Sequence, residues 1–218
     1  MKSISLVCTV HGERGQASIA ELLAILNRIQ PEVIFLELPT NALDHFFNTR
    51  TKSNLESAAV RLYLESKRAE LVPVDLPQPE DEFFNDYRYL QTAIDNHSSD
   101  SRRLFTWHRN YVREHGFSYL NSEHCSNMWS DIYSDELATI QRLGDPNLKR
   151  ISDQWSERND LRENEMLKNI ALSCKTKSFG KAVFLIGAAH RQSIINKSKR
   201  YSDEAHDCIR WDFSCGTN

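Results

Sequence analysis

Four residues able to transfer protons stand at matching places along the chain. His11, Glu37, Asp75 and His190 each lie at or near the end of a short apolar run. An imidazole beside a carboxylate is the usual equipment for general acid–base chemistry near neutral pH. One such residue would carry little weight, because a strand has to end on something polar. A histidine at a strand end is more often a structural hydrogen-bonding group. Asp75 precedes Leu76-Pro77 and can cap a turn, His11-Gly12-Glu13 can itself be a turn, and Glu37 can be a salt-bridge partner only. Four titratable groups at four strand ends point instead to one polar cleft with a catalytic role.

The elements that must position them are legible in the hydropathy pattern. The apolar runs are Ile4–Val10 (ISLVCTV), Val33–Leu38 (VIFLEL), Leu71–Leu76 (LVPVDL) and Ala182–Ile186 (AVFLI). They do not alternate polar with apolar, which suits strands buried on both faces of a parallel sheet. Between them, Ile19, Leu22, Leu23, Leu26 and Ile29 recur at helical spacing. Ser18 with Glu21 reads as a capping box, and Pro31 stops the helix. Ser53 with Glu56 reads as a second capping box, opening a helix that carries Leu55, Ala58, Ala59 and Leu62. Residues 1–76 therefore predict β-α-β-α-β with neighbouring parallel strands. Residues 77–150 are polar and rich in aromatics, show no strand pattern, and predict a helical insert or lid ending at Gly144-Asp145-Pro146. Residues 151–218 supply the second half of the core. A long helix from about Ser152 to Lys175 leads to the fourth strand, a short helix follows His190, and Cys208–Cys215 (CIRWDFSC) reads as an edge strand. The expected fold class is α/β, a mainly parallel sheet flanked by helices, with a helical insert between the third and fourth core strands, in one compact domain.

In open parallel sheets ligands bind beyond the carboxyl ends of the strands. A helix that precedes a parallel strand starts at that same edge. On the long helix, Trp155, Asn159, Arg162, Met166 and Ile170 share one face. At 1.5 Å per residue Arg162 stands about 20 Å from the helix end, level with the tips of six-residue strands. An arginine on an apolar stripe must pair with a carboxylate or point into a polar cleft.

Composition narrows the function classes. The 218 residues are 40% hydrophobic and 26% charged, with a net charge of -3, which argues against broad nucleic-acid binding. Arg102, Arg103 and Arg109, and Lys197, Lys199 and Arg200, read as solvated helix faces. Five cysteines form no C-x-x-C and no even framework, as expected for a reducing, cytoplasmic location. The first apolar run is too short for a signal peptide core followed by a cleavage site, and nothing approaches a membrane span. There is no G-x-S-x-G, G-x-x-x-x-G-K or G-x-G-x-x-G. Cys8 lies inside a strand and reads as core.

Taken in order, these segments resemble a known group. VCTVHGERGQAS followed by PEVIFLELP is similar to the opening of the TraB/Tiki-type superfamily, which also takes in ChaN-like proteins and erythromycin esterases. That opening is a strand ending in G-x-x-H, a helix, then a P-[DE]-V-x-x-x-E-L strand. Here Cys8 replaces the first glycine. RENEMLKNI, from Arg162 to Ile170, resembles the family's R-x-x-x-M segment, with Arg158 one turn earlier as a competing match. VFLIGAAH supplies a second G-x-x-H at Gly187 and His190. The resemblance spans both ends of the core and omits the insert. It implies hydrolysis in several branches (metal-dependent peptide cleavage, macrolide ester cleavage) and a haem-binding type in another.

The expected activity is hydrolysis of an ester or amide bond in a small molecule or peptide, carried by His11, Glu37, Arg162 and His190. Asp75, Glu13 and Arg158 are expected to bind substrate. In a metal form, His11, Glu37 and His190 hold a divalent ion (Mn, Co or Zn) whose bound water becomes the nucleophile. In a metal-free form, His11 takes the proton from water while Glu37 orients the imidazole, and Arg162 stabilises the oxyanion. The alternative is a binding module for a small molecule, a peptide or haem, using the aromatic insert as a wall.

Overall fold

The computed structural model describes residues 1–43, 46, 54–204 and 209–214. The fold is α/β: a five-stranded, all-parallel sheet flanked by helices. The strands are β1 (Lys2–Thr9), β2 (Val33–Pro39), β3 (Glu70–Asp75), β4 (Lys181–Gly187) and β5 (Ile209–Asp212). Each of the four apolar runs forms a strand, and the tail forms the edge strand beside β1. Cys208 and Cys215 lie outside the described residues.

The sheet order is β3-β2-β4-β1-β5. The pattern of the first 76 residues predicts neighbouring strands, and β2 and β3 do pair. β1 and β2 do not: β4 enters between them, bonding β1 through Thr9↔Gly187 and β2 through Leu36↔Leu185. Local hydropathy cannot reveal such an insertion, because both orders bury the same apolar faces. The consequence is functional, since the tip of β4 is seated between those of β1 and β2.

Helix α1 (Ile19–Ile29) opens at Ser18, whose hydroxyl accepts the Glu21 N–H. The other half of the expected box is absent, because the Glu21 carboxylate accepts the Phe117 N–H instead. The helix ends with Gln30 in the left-handed region. Helix α2 (Leu55–Ser66) is capped by Asn54, which accepts the Ser57 N–H at 2.7 Å. The residue expected there, Ser53, lies outside the described residues.

The insert comprises α3 (Asp81–His97), α4 (Ser99–Leu120) and α5 (Glu123–Leu143). Gly144 closes α5 in the left-handed region, Asp145 caps α6 (Pro146–Thr176), and Pro146 occupies its first turn. Proline is tolerated there because that amide has no intrahelical partner. The long helix thus starts six residues before Ser152. Helix α7 (Arg191–Glu204) follows β4 after a 3-10 turn, Ala188–His190. The sheet and its covering helices share one apolar core. Leu90, Ile94, Ile140, Leu148 and Ile151 form a second cluster joining α3, α5 and the start of α6. Among the described residues no helix is long and apolar enough to cross a membrane.

Candidate active site

Because every strand runs the same way, the tips of β1, β4, β2 and β3 line one edge. They open on a cavity of about 790 Å³, walled on its far side by the insert and by α6. His11, Glu37, Asp75, Arg158, Arg162 and His190 all line it.

Glu37 sits where β2 is irregular. From Leu36 to Pro39 the strand takes one more step than β3 takes from Pro73 to Asp75. An extra residue of this kind breaks the alternation and re-aims side chains at a sheet edge. Glu37 Oε2 accepts the Gly187 N–H at 2.7 Å. Its Oε1 accepts from Arg162 Nη2 at 2.5 Å and lies 3.6 Å from His190 Nε2. Burial alone would raise the Glu37 carboxyl. His190, Arg162 and the Gly187 amide more than offset that and hold it below the usual carboxylate range.

Asp75 is 7% exposed and takes the other side of the same guanidinium. Arg162 Nε lies 3.1 Å from both Asp75 oxygens, and Nη2 lies 2.7 Å from Oδ2. Asp75 also accepts the Leu76 N–H at 2.8 Å, the turn contact expected of it, and it lines the cavity. Arg162 Nη1 donates to Asn159 at 3.2 Å. A guanidinium has five N–H groups, so one on Nη1 has no partner among the described residues.

His190 is fixed from behind. Its Nδ1 lies 2.6 Å from Glu163 Oε1, while Glu163 Oε2 accepts from Ser193 at 2.5 Å and Lys197 at 2.6 Å. Burial opposes ionisation of Glu163, but His190, Lys197 and Ser193 outweigh it and set the carboxyl at about 2. An ionised carboxylate only accepts hydrogen bonds. The proton of a neutral His190 ring therefore sits on Nδ1, and Nε2 turns toward Glu37 and the cavity.

The sequence pattern did not single out Glu163. The signal was present: Glu163, Met166, Leu167 and Ile170 are all buried on α6 at helical spacing, so a carboxylate interrupts an apolar stripe. Lys197, grouped above with solvated charges, pairs with Asp160 at 2.7 Å and with Glu163.

His11 stands apart from this chain of contacts. Its side chain is 86% exposed at the cavity mouth, against 12% for His190, and its Nδ1 lies 4.0 Å from Glu56 Oε2. The Glu56 carboxylate beside it raises its proton affinity above the usual histidine value. Glu56 is in turn bonded by the Thr9 hydroxyl. The imidazole oriented toward Glu37 is thus that of His190. Glu13 does not line the cavity; it accepts the Ile19 N–H at 2.9 Å and caps α1. Arg158 lines the cavity and donates to the Pro77 carbonyl, so the arginine between the two carboxylates is Arg162.

The expected ligands His11, Glu37 and His190 do not converge on one point. Glu37 is occupied by Arg162 and Gly187, and His11 faces Glu56. Among the described residues no three His, Cys, Asp or Glu side chains are grouped as around a metal ion. A guanidinium held between the carboxylates already supplies the positive charge an ion would bring, and this donor set does not fit a resident divalent cation.

Aromatic residues of the insert, with Trp155 of α6, form the wall. Tyr87 stacks on Trp155 with ring centroids 3.5 Å apart, and Phe83 stacks on the same indole at 5.4 Å. Farther round, Trp129 meets Phe105 and His108 edge-on. His108 Nδ1 is 3.0 Å from the Tyr119 hydroxyl. Burial, with Arg14 and Arg109 nearby, pushes His108 down to about 4. Cys8 is fully buried in β1, and burial raises its thiol far above the range of a nucleophile.

No family model matches the chain, and no curated protein matches it. A solved crystal structure of a Bacillus cereus protein is similar over 96% of this chain, with 9% sequence identity and a TM-score of 0.38. The chain covers 64% of that protein's length. A likeness this weak carries no argument about activity.

Proposed function

We propose that the cleft hydrolyses an ester or amide bond of a small molecule or peptide, with His190 as general base. The observation that carries this reading is the relay Glu163–His190–Glu37, set beside Arg162 at the floor of the cavity. A water against Nε2 gives its proton to the imidazole and attacks the substrate carbonyl. The imidazolium that forms is stabilised by two carboxylates, Glu163 on Nδ1 and Glu37 near Nε2. Preorganised charge of this kind is worth most in a site shielded from water. Arg162 holds Glu37 and Asp75 ionised and in place, and its uncommitted N–H is available to the developing oxyanion. The proton then passes from His190 to the leaving group.

The resemblance to the TraB/Tiki-type superfamily, whose branches cleave peptides and macrolide esters, supports the same class of reaction. The buried thiols Cys8, Cys125 and Cys174 accord with a cytoplasmic setting. The stacked Tyr87–Trp155 wall favours a second reading, a non-catalytic binding cleft.

A panel of p-nitrophenyl esters and p-nitroanilides separates the two readings. Wild-type protein is expected to turn over at least one of them. Glu37→Gln should lower kcat/KM by roughly a hundredfold, the size typical of a lost charge-stabilising group. Turnover should persist after exhaustive chelation. Absence of turnover on every substrate, with ligand affinity intact, would leave the binding reading. Activity lost to chelation and restored by Mn, Co or Zn would put a metal at the centre.

A further inference from the structure

The charges around the cavity do not balance. Its carboxylates, Glu37 and Asp75, are both committed to Arg162. Three further arginines line it, Arg14, Arg109 and Arg158, and none has a carboxylate partner among the described residues. Arg158 is anchored on the β3 side by the Pro77 carbonyl. Arg14 and Arg109 stand on the β1 side, where both act on the neighbouring His108.

Their placement is fixed by the backbone. Arg14 exchanges both backbone hydrogen bonds with Ala17 in a small loop, at 2.9 and 3.1 Å. The next residue but one, Gln16, donates to the Arg113 carbonyl at 2.9 Å and so docks the loop on α4, the helix that carries Arg109. Gly15 lies between them with φ of 58°, and a Cβ there would strike the Arg113 carbonyl. The loop therefore has a glycine where close approach to α4 requires one, and the approach brings Arg14 and Arg109 to one side of the cavity.

From His108, beside this arginine pair, ring contacts pass through Trp129 to Tyr133, with Phe105 against Trp129, and all four residues line the cavity. A cavity of about 790 Å³ admits a ligand of ordinary small-molecule size. Unpaired guanidinium groups at the rim of an aromatic slot favour an anion with an apolar body.

We propose that Arg14 and Arg109 bind an anionic group of the substrate, a carboxylate or phosphate, while its apolar body lies along the aromatic wall and its scissile bond meets His190. The substrate class rests on the hydrolytic reading for the last of these contacts only.

Two assays on the full chain keep the two ideas apart. The first is binding, followed by fluorescence, of 8-anilinonaphthalene-1-sulfonate and of its uncharged analogue N-phenyl-1-naphthylamine. The wild type is expected to favour the anion by about tenfold or more, the effect of one charge-assisted contact. The double variant Arg14→Gln/Arg109→Gln should lose that preference. Arg103→Gln, whose side chain lies over Trp107 outside the cavity, should keep it. Equal affinity for both probes in the wild type, or a preference that survives in the double variant, would overturn the proposal. Circular dichroism shows whether each variant is folded, and Arg14→Lys/Arg109→Lys, which keeps both charges, should retain most of the preference.

The second assay compares kcat/KM for mono-p-nitrophenyl glutarate and p-nitrophenyl butyrate. The anionic ester should be preferred, and the ratio should fall toward one in the Gln double variant. No turnover of either ester, with the binding preference intact, sinks the hydrolytic reading and leaves the anion site standing.

Discussion

Removing the Arg162 guanidinium would leave Glu37 and Asp75, both largely buried, facing one cavity without their shared counter-charge. Breaking a buried ion pair from one side costs about 3–5 kcal/mol, because the remaining charge stays desolvated. Arg162→Met should therefore lower the unfolding free energy measured in urea by an amount in that range. Arg158→Met, which removes no carboxylate partner among the described residues, should cost much less. Glu163 makes a prediction about pH. Its carboxyl is set at about 2 in the folded chain against an ordinary 4.5, so the folded state binds its proton less readily than the unfolded state does. The resulting stability is fully present above pH 4.5 and is lost as pH falls toward 2. The gap in unfolding free energy between wild type and Glu163→Gln should then be on the order of 3 kcal/mol at pH 7. It should narrow steadily below pH 4.5, and a gap constant with pH would contradict the ionised Glu163. Among individual side chains the sequence was readable where a polar group ends an apolar run, as at Glu37, Asp75 and His190. It was not readable where the partner comes from elsewhere: nothing in the local pattern ties His11 to Glu56 rather than to the floor of the cleft.

Strand β1 shows how the insert is joined to the sheet. On one side β1 pairs with β4 from Ser3 to Thr9, but on the other β5 reaches only as far as Ser5. Beyond that point the outer edge of β1 would present unpaired backbone groups inside the protein. Asn121, at the end of α4, closes the gap: its Oδ1 accepts the Cys8 N–H at 2.7 Å and its amide donates to the Cys8 carbonyl at 3.2 Å. Asn121→Ala should leave two buried backbone groups unsatisfied and cost roughly 2–4 kcal/mol, at about 1–2 kcal/mol for each. Thermal unfolding measures this, and a change below about 0.5 kcal/mol would mean that water replaces the amide. The turn into α4's last residues is similarly fixed, since Gly116 has φ of 52° and a Cβ there would meet the Glu21 carboxylate. The runs of apolar residues were enough to locate β1 to β4, because parallel strands covered on both faces read as continuous hydrophobic stretches. They could not order the sheet, since β4 buries the same apolar faces whether it stands between β1 and β2 or beyond them.

The molecule as a whole sets a polar sheet edge against an aromatic wall. Parallel strands bring four tips to one line, α6 delivers Arg162 and Glu163 from one side, and the insert closes the far side with aromatics. Arg162 was legible because helix rise and strand length together fix its height above the sheet. The wall was not, because three helices with mixed aromatic and polar faces can pack in many ways that the local pattern does not distinguish. In the proposed reaction His190, held by Glu163 and facing Glu37, takes the proton from the attacking water. Turnover of the best p-nitrophenyl ester by His190→Ala, with and without added imidazole, tests it most directly. kcat/KM should fall by roughly a hundredfold or more, and imidazole in the vacated space should restore part of it. A His190→Ala protein that hydrolyses the ester at the wild-type rate would contradict it.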